Sequence, residues 1–182
     1  MTSKREDLTR EAWLQAGQAL LRDEGLRALR LKRLTEALGI STGSFYHHFK
    51  DFDAYLGQLA DYFSGAQLTA NLANIRAASD DPRERIRIAS DLAVAGELPR
   101  LALAMRAWAR SDPRARDSVR KLDQALLAFF TECMEGLGFE GPDAVTRAFL
   151  LISSATSEIE PPPGLELGEA SRQRVLAVIC GR

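Results

Sequence analysis

The chain has 182 residues, 27% of them charged and 46% hydrophobic, which excludes a disordered chain and supports one core or a small domain leaning on a larger one. No apolar run approaches the roughly 18 residues needed to cross a bilayer, and the polar start MTSKREDLTR is unlike a secretory signal, so a cytoplasmic protein without membrane contact is expected. A formal net charge of -1 excludes a general nucleic-acid coat, yet the charge is uneven: through Lys50 nine basic residues stand against six acidic ones, and the acidic excess lies in the remainder.

In chain order, apolar residues recur at helical spacing in nearly every segment and nowhere alternate at period two over a strand's length, which predicts an all-α protein. Ser3 and Glu6 have capping-box spacing, and Leu8, Ala12, Ala16, Ala19 and Leu20 then share one face up to Gly25, predicting a first helix. Leu31, Leu34 and Leu38 predict a short second helix ended by Gly39, and Ser41 is placed to cap a third that turns Phe45 and Phe49 inward. The stretch from about 51 to 78, with Tyr55, Leu59, Tyr62, Phe63, Leu68 and Leu72, predicts one long amphipathic fourth helix. Asp81-Pro82, Asp112-Pro113 and Gly141-Pro142 mark three further helix starts, and Pro161 to Gly164 is a stiff break before a last helix. About nine helices result, divided into a three-helix head over residues 1–50 and a helical body over 51–182.

The segment LTEALGISTGSFYHHFKDFDAYL is where this pattern becomes specific. A helix-turn-helix needs apolar residues locking two helices at a steep angle, a turn residue tolerant of unusual backbone, and polar side chains on the outer face of the second helix. Leu34, Leu38, Ile40, Phe45 and Phe49 supply the lock, Gly39 the turn, and Thr42, Ser44, Tyr46, His47 and Lys50 the outward polar set. Gly43 lacks a Cβ, so the amides at that helix start are open to a phosphate. Lys32 and Arg33 read as either a solvated face or part of this surface.

These residues resemble the TetR (tetracycline-repressor) family of regulators over roughly Leu8 to Leu59, and more weakly through RAWARSDPRARDSVRKLD. The resemblance implies an N-terminal helix-turn-helix DNA-binding domain and a C-terminal ligand-binding and dimerisation domain. It implies base-edge contacts from Thr42 and Ser44, phosphate or base contacts from Tyr46 and His47, a backbone clamp from Lys50, and a phosphate or base-edge contact from Arg33. Three positions depart from the family pattern: Arg30 where a threonine often caps the second helix, Thr35 for a common alanine, and Phe52 for a common cation. Arginine binds phosphate but does not cap a helix as threonine does.

In the body, Met105, Trp108, Phe129 and Phe130 read either as plain core or as the lining of a pocket for a small apolar or aromatic effector, which Arg106, Arg110 and Glu158 would orient. Phe149, Ile152, Ala155 and Ile159, with Val175, Val178 and Ile179 of the last helix, suit a four-helix interface between two copies of the chain, the arrangement the resemblance also implies. The expected partners are therefore a double-stranded DNA operator, a second copy and that effector. Cys133 and Cys180 lack metal-ligand spacing and read as buried apolar residues, while His47 and His48, adjacent on a helix, point about 100° apart and do not share an ion. With no phosphate-cradling glycine loop, nucleophile elbow or paired carboxylates, neither catalysis nor a cofactor or metal is expected.

Overall fold

A computed structural model describes residues 8–157 and 168–181. Ten α-helices are formed among them: α1 (Arg10–Glu24), α2 (Leu31–Leu38), α3 (Thr42–His48), α4 (Phe52–Ser64), α5 (Ala66–Ala78), α6 (Pro82–Ala95), α7 (Leu98–Trp108), α8 (Pro113–Gly136), α9 (Gly141–Ala155) and α10 (Glu169–Cys180). A 3-10 turn, Leu26–Ala28, links α1 to α2, and the described residues contain no strand.

The all-helical expectation holds, with differences in detail. The first helix starts at Arg10, because the hydroxyl of Thr9 accepts from the Ala12 amide at 3.2 Å and ends the extended backbone there; Ser3 and Glu6 lie outside the described residues, as does the Pro161–Gly164 break. The long fourth helix is two helices, since Gly65 leaves helical backbone at φ -85°, ψ -149°. The proline-marked starts behave as expected: the carboxylate of Asp81 accepts from the Arg83 amide and that of Asp112 from the Arg114 amide, both at 2.9 Å. An unmarked helix, α7, follows the turn at Gly96 and Glu97.

The residues gather into two compact units. The first comprises Met1–Ala66 and Arg100–Val119, so packing groups the expected 1–50 head with α4, most of α7 and the start of α8. Trp13, Leu21, Leu34, Phe45, Tyr55 and Leu59 are fully buried in its core, and Leu101, Met105, Trp108, Ala115 and Val119 complete it. The second comprises Gln67–Pro99 and Arg120–Arg182; Ile86, Phe129, Phe130, Cys133, Met134, Ala144, Ala148 and Leu151 form its core. Glu132 of α8 pairs there with Arg76 of α5 at 2.8 Å and with Arg85 of α6 at 3.1 Å. Both cysteines are free and buried, and burial pushes the Cys133 thiol up to about 11. No described helix is long and apolar enough to cross a membrane.

Candidate nucleic-acid interface

The head is built around rings. Phe45 of α3 lies 5.3 Å from Trp13 of α1 in an edge-on contact, 5.1 Å from Phe49 and 5.6 Å from Tyr55 of α4, centroid to centroid. A seven-residue helix such as α3 is not stable alone, so this contact set is what holds it. The Tyr55 hydroxyl donates to the Trp13 carbonyl at 3.0 Å, and burial drives its proton affinity well above the ordinary tyrosine range. It reaches that carbonyl because residue 17 is glycine: a Cβ built there would stand 1.9 Å from the Tyr55 oxygen.

Between α2 and α3 the chain turns at Gly39, in the left-handed region at φ 67°, ψ 29°. The Gly39 amide donates to the Glu36 carbonyl at 3.3 Å and the Ile40 amide to the Thr35 carbonyl at 3.1 Å, satisfying two end carbonyls of α2. Ser41 occupies the cap position of α3 as expected, but its side chain makes no capping bond.

This frame leaves Thr42, Gly43, Tyr46 and His47 exposed along α3, with Lys50 exposed just after it and Ser44 partly so. Tyr46 is 57% exposed, against 0% for Phe45 beside it. Only the Ser41 hydroxyl comes within 4 Å of the space a Gly43 Cβ would fill. On α2, Arg30 is exposed at the cap position without a capping bond, and Lys32 is exposed, 4.0 Å from Glu36. Arg33 differs: its guanidinium grips the Glu24 carboxylate through two bonds of 2.6 and 3.0 Å, which holds that carboxyl below its usual range and ties α2 to the end of α1. A phosphate would have to compete with Glu24 for it.

The three departures have local explanations. Arg30 leaves α2 without a side-chain cap. The Thr35 hydroxyl, buried, donates to the Lys32 carbonyl at 2.8 Å and so costs nothing unsatisfied. Phe52 stacks on Tyr55 at 5.5 Å and joins the aromatic core in place of a solvent-facing cation.

Two side chains that sequence reasoning passed over also shape the site. Asp51 caps α4 by accepting from the Ala54 amide at 2.7 Å, a signal readable in Asp51-Phe52-Asp53. Arg10 reaches the His48 carbonyl at the end of α3, a contact across 38 positions that no local pattern announces.

Met105 and Trp108 belong to the core of the first unit and Phe129 and Phe130 to that of the second, each 8% exposed or less. The interface residues are likewise divided. Phe149, Ala155, Val175 and Val178 are exposed, Ile152 packs against the second core and Ile179 is buried in it, and Ile159 lies outside the described residues. Ala144, Ala148 and Leu151 form the buried face of α9, which turns Val145 and Leu150 outward beside Phe149. Leu150, Ser154, Val175 and Val178 line an open groove between α9 and α10.

A short polar helix held by an aromatic core after a glycine turn, in a chain whose described residues form helices and no strand, defines a helix-turn-helix protein with a helical body. Residues 14–54 match the family model for bacterial regulatory proteins of the tetR family. Over 151 residues the chain is 32% identical to the tetracycline repressor protein class C of Escherichia coli, an alignment covering 82% of this chain and 63% of that protein. Solved structures agree on the fold: a transcriptional regulator from Rhodococcus sp. Rha1 (TM-score 0.72, 20% identity, 96% of this chain and 95% of that one) and the ketosteroid transcriptional regulator KstR2 of Mycobacterium tuberculosis (TM-score 0.63, 22% identity, 100% and 95%). Residues 14–54 thus carry a tetR-family head, and the chain as a whole is similar to regulators of that family.

Proposed function

We propose that this protein is a cytoplasmic transcriptional repressor that binds a pseudo-palindromic DNA operator as a homodimer and is released by a small apolar or aromatic effector. The observation that carries the reading is the outward set on α3, where Thr42, Tyr46 and His47 are exposed while Phe45 and Phe49 fix the helix from below. Two such helices would enter successive major grooves roughly 34 Å apart. Thr42 and Ser44 face base edges, Tyr46, His47, Lys50, Arg30 and Lys32 serve bases or phosphates, and the open space at Gly43 admits a phosphate close to the backbone. Arg33 contributes only where phosphate displaces Glu24.

The test uses duplexes enriched from a random pool by the unsubstituted chain. Lys50→Ala should weaken binding to enriched and random DNA alike and flatten the salt dependence by roughly one unit. Thr42→Ala should lose discrimination at one base pair of each half-site while leaving random DNA nearly unaffected. Failure to enrich any duplex would sink the reading.

Effector release draws support from the names of the relatives, a tetracycline repressor and a ketosteroid regulator. A second reading, a body that only dimerises or contacts protein, is favoured by the burial of Met105, Trp108, Phe129 and Phe130 within two separate cores. Thermal melts of the full chain with a panel of apolar and aromatic compounds separate the two, since a ligand that binds only the folded state must raise the midpoint. No shift across the panel would favour the second reading.

A further inference from the structure

We propose that Arg10 is a positioning residue for the recognition helix, a role that rests on reading α3 as the DNA-contacting element. Its guanidinium donates through Nη2 to the His48 carbonyl at 2.8 Å and through Nη1 to the Gln58 side-chain oxygen at 3.0 Å, and its carbon lies 5.5 Å from the centre of the Phe49 ring. One side chain from the first turn of α1 thus grips the last turn of α3 and the middle of α4 together.

Three physical points favour a dedicated clamp over an incidental surface contact. The His48 carbonyl is among the last of α3, and end carbonyls have no partner within their own helix. A positive charge suits that end of α3, yet Arg10 is the first residue of α1, where a cation opposes the helix dipole, so α1 gains nothing from it. The task also needs a planar fork able to serve two acceptors while lying over a ring, which lysine does not offer. With α3 only seven residues long, the buried Phe49 anchors its far end on the apolar side.

The direct test is hydrogen–deuterium exchange of the full chain. Arg10→Lys should speed exchange of the amides of residues 45–49 by roughly tenfold or more and leave those of α9 unchanged. Gln58→Ala should move the same amides less, and the two changes together should fall short of their sum, because both remove one clamp. Unchanged exchange in Arg10→Lys overturns the proposal. On DNA, the ratio of affinities for enriched over random duplexes should drop about tenfold, with random-pool affinity within about twofold of the original. An equal loss on both pools, with the salt slope down by about one unit, would instead make Arg10 a phosphate contact and also overturn the proposal. Should the unsubstituted chain enrich no duplex, the DNA reading fails while the exchange result still decides the clamp.

Discussion

Replacing Gly17 by alanine is expected to destabilise the first unit by about 3 kcal/mol, the upper end of what overpacking one methyl group costs. The added carbon would stand 1.9 Å from the Tyr55 hydroxyl and 3.2 Å from Leu59, and neither side chain has room to retreat, both being fully buried. The Tyr55 ring is rigid and edge-on to Phe49 at 5.0 Å, so a shift there propagates to the end of α3. Tyr55→Phe should cost only about 1 kcal/mol, because the Trp13 carbonyl it releases retains its own helical bond. The informative variant is the double one, Gly17→Ala with Tyr55→Phe. Removing the hydroxyl removes the atom in collision, so its loss should be well below that of Gly17→Ala alone. Urea unfolding followed by circular dichroism measures all three, and a double variant as unstable as the sum of the singles would show that the clash is not with that oxygen.

The second large effect concerns assembly. Phe149→Glu is expected to turn the proposed dimer into a monomer and to lower affinity for a two-half-site duplex by about 100-fold or more, the avidity lost when two heads are no longer joined. Phe149 is 60% exposed, with its neighbour Leu150 at 49% and Val178 at 77%, and Leu150 and Val178 line the open groove between α9 and α10. A carboxylate at this exposed position is harmless in a monomer but costly once a second copy covers it. Folding stability measured at low protein concentration should therefore change by no more than about 0.5 kcal/mol. Light scattering gives the mass directly. A dimer that survives the substitution would move the interface away from α9 and α10.

The head was legible in the sequence because its signals are local. Leu34, Leu38, Phe45 and Phe49 lie within sixteen positions, and Gly39 marks a turn that few residues other than glycine can make. The body was legible only as helices. Gly57 and Gly65 show why: Gly57 stays helical within α4 and Gly65 breaks the chain, a difference set by surroundings and absent from residue type. Periodicity also fails to say which of two apolar faces turns inward: Ala148 and Leu151 are buried, while their neighbours Phe149 and Leu150 are exposed. Met105 and Phe129 read either as core or as a pocket lining, and a one-dimensional pattern does not record that they are buried in separate cores. The grip of Arg10 on His48 and Gln58 joins positions far apart, and nothing short of the fold brings them together.

The membership of Leu101, Met105, Trp108, Ala115 and Val119 in the first core bears on how the protein is made. A ribosome that has delivered the whole recognition motif has not yet delivered the residues that close its core. At about 5–20 residues per second, the stretch from 67 to 119 takes some 3–10 s to synthesise. Throughout that interval Trp13, Phe45 and Tyr55 lack part of their cover, and the nascent segment exposes apolar surface of the kind chaperones bind. The motif is correspondingly a poor candidate for excision: residues 1–50 expressed alone would carry every side chain proposed to touch DNA and lack the packing that holds them in place.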